Sequence, residues 1–300
     1  MNGSSNVSSV GVNVWWTCPE VIRDVEAAKS ALKAHGFDET AIKTPSRRLE
    51  VSRAVYSLQN RQGKENRRVT EKANESDRYI VYGILDREQQ STERVGFAQH
   101  TTIRVDKESD AVEVEGALAD DVRKAIADYT GKITDDDIRT YLRSIIRGCW
   151  GIAKRPTGGI YFIPSKFAAK VKAAQAVLDD LKSGAKLYVE GIINGVEERM
   201  NVWESVESEI ESRLEETMAA VGRIERSSKC LSDHEAQLQW LNELMGVYQG
   251  LLGEEAKYEA LASKIENAVK VVSTKMTDIK ENRVQRIADK KAKKASAVAA

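Results

Sequence analysis

Arginine residues recur in one stretch of the sequence at a spacing that suits contact with a phosphate backbone. Arg139, Arg143 and Arg147 are four residues apart, so on a helix they share one face. Guanidinium groups bind phosphate oxygens through paired, charge-assisted hydrogen bonds. The chemistry that this spacing predicts is binding to the backbone of DNA or RNA.

A glycine-containing turn follows these arginines in the string RPTGGIYFIP. Apolar segments over Trp150–Ala153 and Ile160–Ile163 flank the turn, which predicts a short hairpin. Glycine lets the backbone approach a phosphate closely. In a winged-helix-like interpretation, the helix Asp135–Arg147 reads the nucleic acid and the hairpin is the wing. The alternative is a solvated basic helix beside an ordinary hairpin. The predicted nucleic-acid-binding residues are Arg139, Arg143, Arg147, Lys154, Arg155, Gly158 and Gly159.

Three consecutive aspartates precede the arginines and have two interpretations. Asp135, Asp136 and Asp137 offer carboxylates for the metal of a nuclease. Neighbouring side chains on a helix point in different directions, however, so they do not converge on one ion. Acidic residues favour the first turn of a helix, and Thr134 is a good N-cap. Capping is therefore the preferred interpretation.

The residues that commonly carry catalysis or bind metals are scattered. Three histidines show no paired spacing, and three cysteines lie far apart without a CxxC motif. Phosphate-binding loops and the GxSxG motif are absent from the sequence. We therefore expect a non-enzymatic protein without a metal or cofactor. The scattered residues are His35, His100, His234, Cys18, Cys149 and Cys230.

The elements that position the basic stretch begin with a helical N-terminus. Residues 1–13 are rich in Ser, Asn and Gly, which predicts disorder. Thr17–Glu20 fits a capping box that opens a helix to His35, with Trp16 packing onto it and Gly36 ending it. A second helix is predicted from Thr44.

A small sheet and further helices follow these two helices. Alternating apolar and polar residues predict a three-stranded antiparallel meander over 79–85, 94–105 and 111–115. Helices are predicted over 119–129, 135–147 and 166–182, and a last strand over 186–193. With the helical N-terminus, these elements predict an α+β domain over residues 14–195.

The remainder of the chain shows helical periodicity. Three helices are predicted over 196–285, and a Ser232–Glu235 capping box opens the second. Short connections predict antiparallel neighbours, hence a long antiparallel coiled-coil hairpin or a three-helix bundle. Residues 286–300 are predicted to be a basic disordered tail.

Charge is segregated although the formal net charge is zero. Residues 139–186 contain ten basic and two acidic residues, whereas 189–259 contain sixteen acidic and six basic ones. A basic segment attracts nucleic acid through counterion release. The predicted function is a nucleic-acid-associated or regulatory protein whose helical arm, residues 197–282, mediates self-association or partner binding. The alternative is a scaffold that acts through the coiled-coil arm without nucleic-acid contact.

The order of helical start, β-rich middle, RPTGGIYFIP hairpin and long charged helices resembles that of uncharacterised proteins carried by bacteriophages and prophages. The resemblance implies a phage-type accessory protein. The sequence contains neither a secretory signal nor an apolar run long enough to cross a bilayer. A cytoplasmic protein with no membrane partner is therefore expected.

Overall fold

The chain forms two compact units in a computed structural model. The structure describes residues 9–60, 67–76, 78–89, 95–155, 158–223, 228–252 and 255–298. One unit, here called the bundle unit, comprises Met1–Trp16, Ile145–Lys172 and Leu187–Ala300. The other, the meander unit, comprises Thr17–Ser144 and Ala173–Lys186. Each unit has a hydrophobic core of its own.

Four strands form the sheet of the bundle unit. They are β1 (Ser9–Thr17), β8 (Ile152–Ala153), β9 (Tyr161–Pro164) and β10 (Lys186–Ile193), in the order β10-β1-β9-β8. β8 and β9 are antiparallel, with Ile152 opposite Phe162, which confirms the predicted hairpin. β9 is hydrogen-bonded on its other side to β1, so it lies inside the sheet.

The beginning of the chain differs from the prediction. Residues 9–13, predicted to be disordered, form the first part of β1, and residues 1–8 lie outside the described part of the chain. Val10, Val12 and Val14 alternate along β1 and are 2%, 6% and 0% exposed. The free energy gained by burying these valines outweighs the polar composition around them.

The two adjacent tryptophans of β1 contact the neighbouring strands. Trp15 stacks on Tyr188 of β10 at 5.3 Å between ring centroids, and Trp16 stacks on Tyr161 of β9 at 5.4 Å. Successive side chains of a strand point to opposite faces, so the two stacks lie on opposite sides of the sheet. The predicted contact between Trp16 and the first helix is therefore wrong.

Three long helices complete the bundle unit and confirm the helical second half of the prediction. They are α6 (Val196–Arg223), α7 (Ser228–Leu252) and α8 (Glu255–Val298). Their apolar stripes meet in one core with β1, β8 and β9. The predicted capping box at Ser232 is wrong because α7 begins one turn earlier. The predicted disordered tail is also wrong over 286–298, which continue α8 as a helix.

Helices α6 and α8 run in parallel at a constant register. Lys264 pairs with Glu211, 53 residues earlier, and Lys275 donates to the carbonyl oxygens of Val221 and Gly222. The Lys275 ammonium thus satisfies carbonyl groups at the C-terminal end of α6. At this register, α8 extends past the end of α6 for about 22 residues, or ~33 Å.

Two sheets and several helices make up the meander unit. A four-stranded antiparallel sheet contains β3 (Arg67–Ser76), β4 (Tyr79–Gln89), β5 (Val95–Asp106) and β6 (Val112–Gly116). It confirms the predicted three-stranded meander and adds β3 at its edge. A second sheet pairs β2 (Ile22–Asp24) with β7 (Lys132–Thr134). α2 (Arg47–Asn60) and α3 (Ala119–Tyr129) pack on each other and share the core of the large sheet.

The first helix of the meander unit begins later than predicted. α1 covers Val25–Ala34, and its N-cap is Asp24, whose side chain accepts a hydrogen bond from the Glu26 N–H at 2.9 Å. Ile22–Asp24 pair with β7 instead of continuing a helix from Thr17. The capping box predicted at Thr17–Glu20 is therefore wrong. The predicted end at Gly36 is confirmed, since Gly36 has φ +76°.

The helix that carries the arginines is α4 (Asp135–Gly148), as predicted. The Thr134 N–H donates to the Asp137 carboxylate at 2.8 Å, and the Asp137 carboxylate also pairs with Arg53 at 2.7 Å. Asp135 and Asp136 pair with Arg139. The capping interpretation is thereby confirmed for Asp137, whereas the side chains of Asp135 and Asp136 in the same turn form ion pairs. Residues 168–181 form α5 (Ala168–Leu181), which a 3₁₀ turn over Ser165–Phe167 precedes.

Candidate nucleic-acid interface

The end of α4 closes in a Schellman motif with a tryptophan in the position that glycine usually takes. The Gly151 N–H donates to the carbonyl oxygen of Ile146 at 2.8 Å, and the Trp150 N–H donates to that of Arg147 at 3.1 Å. Trp150 has φ +55°, a left-handed conformation that costs about 1–2 kcal/mol for a residue with a side chain. Contacts of Trp150 with the bundle must offset this cost.

Two contacts fix Trp150 in this conformation. Its carbonyl oxygen accepts a hydrogen bond from the Tyr248 hydroxyl at 2.8 Å, and its indole stacks on Trp240 with 5.7 Å between the ring centroids. Tyr248 is fully buried, and burial raises its pKa well above the ordinary value. The tyrosine therefore remains a hydrogen-bond donor, and it attaches the end of α4 to α7.

Two arginine side chains also lie close to the Trp240 ring. The Arg213 guanidinium lies 4.8 Å from the ring centroid of Trp240, and that of Arg147 lies 5.8 Å from it. Both distances lie within the range of cation–π attraction. Arg213 also pairs with Glu209 at 2.6 Å. A guanidinium held against an aromatic ring presents its N–H edge to a ligand, so the exposed Arg147 remains suited to phosphate contact.

The hairpin turn presents its glycines in backbone conformations that other residues rarely adopt. Gly158 and Gly159 have φ +74° and +92°, and the Gly158 N–H donates to the carbonyl oxygen of Arg155 at 2.9 Å. A side chain added at Gly159 would meet no atom within 4 Å. The positive φ angles therefore favour glycine at both positions, and the space beside Gly159 is open.

Lys154 and Arg155 border a polar cavity of about 640 Å³ between the hairpin and α6. Its lining from α6 consists of carboxylate, hydroxyl and amide side chains: Asn201, Glu204, Ser205, Ser208, Glu209 and Ser212. The two cations of the hairpin thus lie beside two carboxylates. Arg155 is exposed, whereas Lys154 is half-buried. Of the two, Arg155 is better placed to reach an external anion.

Lys170 adds a cation at the end of α4. Its ammonium nitrogen lies 3.8 Å from the position that a Cβ atom on Gly148 would occupy. It also lowers the pKa of Cys149, while the stronger effect of burial raises that pKa above its ordinary value. Burial therefore favours the protonated form of the Cys149 thiol, and the exposed Lys170 lies near Gly148 at the end of α4.

The predicted binding residues are divided between the two units. Arg147, Lys154, Arg155, Gly158 and Gly159 belong to the bundle unit, and Arg139 and Arg143 to the meander unit. Arg143 is exposed. Arg139 pairs with Asp135 and Asp136 and donates to the carbonyl oxygen of Cys18 at 2.9 Å. Its guanidinium therefore already stabilises the start of α4.

Sequence reasoning missed the aromatic cluster and one of the cations. Trp240 and Tyr248 lie in the second of the three helices predicted over 196–285, yet both contact Trp150 about 90 residues away along the chain. No local pattern pairs them. Lys170 could have been identified from the sequence, since residues 145–172 contain six basic residues and no acidic one.

No three His, Cys, Asp or Glu side chains converge as a metal site within the described part of the chain. None of the helices in that part is long and apolar enough to cross a membrane. A family model described as a family of unknown function (DUF6744) matches residues 9–285. No curated protein and no solved structure matches the chain.

Proposed function

The chain belongs to this family, DUF6744, and we propose that it is a non-enzymatic accessory protein that binds the backbone of DNA or RNA through its bundle unit. The observation that carries the proposal is the charge of residues 145–172. Six basic residues and no acidic one lie in this segment, which is here called the basic segment. The six are Arg147, Lys154, Arg155, Lys166, Lys170 and Lys172, and all but the half-buried Lys154 are exposed.

The chemistry of the basic segment favours backbone contact over base reading. Phosphate contacts come from Arg, Lys and exposed backbone N–H groups, and they position a protein without reading sequence. Arg147 lies at the end of α4, and Arg155 lies at the start of the open glycine turn. A winged-helix-like mode, with α4 as the reading helix and the β8–β9 hairpin as the wing, is the finer form of the proposal. A phage-type role rests on the layout around RPTGGIYFIP.

One observation favours the alternative of a scaffold that makes no nucleic-acid contact. Glu204 and Glu209 border the same cavity as Lys154 and Arg155. These carboxylates repel phosphate and reduce the field of the two cations. In the scaffold alternative, the hairpin cations stabilise the bundle unit through α6, and function resides in the coiled-coil arm formed by the long helices.

A salt titration distinguishes the two functions. Fluorescence anisotropy with labelled duplex DNA and single-stranded RNA should show affinity that falls as salt concentration rises. The double variant Arg147→Glu, Arg155→Glu should weaken binding by roughly tenfold or more. It should also reduce the slope of log affinity against log salt concentration by about 2. The pair Arg155→Glu and Lys166→Glu should act similarly without disturbing Trp240.

The matched control reverses two positive charges outside the basic segment. Lys33 is 77% exposed and Lys124 is exposed, and both belong to helices of the meander unit. The pair Lys33→Glu and Lys124→Glu should leave the affinity within about twofold of wild type, because general charge is a weak, screened contribution. A wild-type protein without salt-sensitive binding to either nucleic acid would overturn the proposal and favour the scaffold.

A further inference from the structure

The polar cavity beside the hairpin brings two kinds of chemistry together within the bundle unit. Lys154 and Arg155 border it from the hairpin, and one face of α6 borders it from the other side. On α6, residues 201, 204, 208 and 212 are three or four positions apart, so they share that face. Their side chains are amide, carboxylate and hydroxyl groups. Carboxylates repel phosphate, so this mixture is not the lining that a bare phosphate favours.

The two glutamates of the cavity differ in their engagement. The Glu209 carboxylate is half-buried and pairs with the Arg213 guanidinium at 2.6 Å. Glu204 is exposed, and among the residues that the structure describes no cation pairs with it. Within the same described ranges, Lys154 and Arg155 have no ion-pair partner either. The two cations and the Glu204 carboxylate are therefore available to a ligand.

A ribose phosphate carries the groups that match this arrangement. Its phosphate is an anion for Lys154 and Arg155, and its 2′-hydroxyl is a donor that the Glu204 carboxylate can accept. Ser208 and Ser212 are exposed, and their hydroxyls can donate to or accept from the same sugar. The volume of about 640 Å³ lies within the range of about 300–1,000 Å³ that is usual for small-ligand sites, so it accommodates one nucleotide unit.

A deoxyribose phosphate lacks the donor that Glu204 requires. In a DNA strand held by the same two cations, the Glu204 carboxylate would lie beside the phosphates without a hydrogen bond in return. In an RNA strand, the charge-assisted hydrogen bond from the 2′-hydroxyl offsets that repulsion. The cavity therefore disfavours DNA relative to RNA.

We propose that this cavity makes the protein selective for RNA, a selectivity that rests on the backbone binding proposed above. Lys154 and Arg155 bind a backbone phosphate, and Glu204 accepts a hydrogen bond from the adjacent 2′-hydroxyl. The carboxylates beside the cations, which weaken contact with phosphate alone, thereby gain a role in recognition. A strand suits the site better than a free nucleotide does, because Lys166 and Lys172 are exposed cations of the basic segment outside the cavity lining and add contacts to further phosphates.

Binding to matched strands tests the selectivity. Fluorescence anisotropy at one moderate salt concentration compares a labelled single-stranded RNA with DNA of the same sequence and with the same RNA carrying 2′-O-methyl groups. Wild type should bind the unmodified RNA roughly tenfold more tightly than either other strand, because only a free 2′-hydroxyl donates to Glu204. Adenosine monophosphate in large excess should not displace the RNA, since it lacks the further phosphates of a strand.

Glu204→Ala should remove the preference for RNA. The loss of the acceptor weakens RNA binding, and the loss of the negative charge strengthens DNA binding, so the two affinities should lie within about twofold of each other. The matched control is Glu216→Ala, which removes an exposed carboxylate of α6 outside the cavity lining. Glu216 lies ~18 Å further along the helix, where salt screens its charge, so this variant should keep the wild-type preference. Circular dichroism checks that both variants fold.

Each kind of failure leads to a different conclusion. Salt-sensitive binding with equal affinity for RNA, DNA and 2′-O-methyl RNA would overturn the selectivity and leave the proposed backbone binding intact. Absence of salt-sensitive binding to every strand would overturn the proposed function together with the selectivity. A Glu204→Ala variant that keeps the preference of wild type, or displacement of RNA by adenosine monophosphate, would overturn the role assigned to the cavity.

Discussion

The Tyr248 hydroxyl donates a hydrogen bond to the carbonyl oxygen of Trp150 at 2.8 Å. Trp150 is the residue of positive φ that closes α4, and Tyr248 is a fully buried residue of α7. A buried carbonyl that loses its donor retains the cost of its desolvation. The bond therefore stabilises both the strained residue and the attachment of α4 to the bundle.

Tyr248→Phe should lower the free energy of unfolding by about 1–3 kcal/mol, because it leaves this buried carbonyl without its donor. Urea denaturation followed by tryptophan fluorescence measures the change. Tyr188→Phe removes the same hydroxyl group from a residue that is 37% exposed. The Tyr188 variant should lie within about 0.5 kcal/mol of wild type. Equal losses in the two variants would contradict this account of the bond.

Gly151→Ala should destabilise the protein by about 1–3 kcal/mol, because the site has no room for a methyl group. A Cβ atom there would lie 2.6 Å from Cγ2 and 3.0 Å from the carbonyl oxygen of Ile146. Both atoms belong to the last turn of α4, so relief requires opening the Schellman motif. Thermal denaturation measures the loss, and an unchanged melting temperature would show that the turn can relax.

Gly246→Ala should increase the stability of the protein, in contrast to Gly151→Ala. Gly246 lies within α7, is exposed, and would place a Cβ atom in open space. Alanine in a helix interior is more favourable than glycine by about 0.5–1 kcal/mol. Thermal denaturation should therefore show a higher melting temperature. A lower one would indicate that α7 needs glycine at this position for a reason other than helical propensity.

The turn between β5 and β6 predicts a pH dependence of stability. The Asp106 carboxylate accepts from the N–H groups of Glu108 and Ser109 and pairs with Arg78 at 2.8 Å. These contacts lower its pKa from 3.8 to about 2, with the Glu108 hydrogen bond the largest cause. The folded state thus binds this proton less readily than the unfolded state, so the stabilisation is complete above about pH 4 and is lost as pH falls towards 2.

Asp106→Asn should therefore be less stable than wild type near neutral pH. The difference should narrow between about pH 4 and pH 2, where wild type loses the contribution of the carboxylate. Urea denaturation at several pH values measures this difference in the free energy of unfolding. Asp120→Asn changes an aspartate whose side chain is fully exposed beside Arg123 and should differ little from wild type at any pH. A constant Asp106→Asn difference across the range would contradict the assignment.

Periodicity predicted the meander and the helices well because their apolar stripes are long. β4, β5 and β6 alternate, and Val202, Val206 and Ile210 recur at helical spacing and are buried. Short sequence motifs predicted the secondary structure of the N-terminus less reliably. Thr17–Glu20 has the residues of a capping box, but β1 is the strand between β9 and β10, and that pairing decides its conformation. Tertiary pairing of this kind is not visible in a window of four residues.

The positive charge of the candidate interface could be predicted from the sequence, whereas the side-chain contacts that hold it together could not. The basic residues of 145–172 are visible from composition, since no acidic residue interrupts them. The contacts of Trp150 with Trp240 and Tyr248 could not be predicted, because these residues are far apart in sequence and meet only when the bundle is packed. The engagement of Arg139 with Asp135 and Asp136 follows from helix spacing and could have been expected.

The central place of β1 in its sheet determines the order in which the chain acquires structure during synthesis. Val14 pairs with Tyr161, so the first strand leaves the ribosome long before its partner does. At roughly 5–20 residues per second, about 140 intervening residues take ~7–30 s to translate. During that interval the nascent chain carries Trp15 and Trp16 without the strands on which they stack. Translation rate and early chaperone binding should therefore influence the yield of this protein.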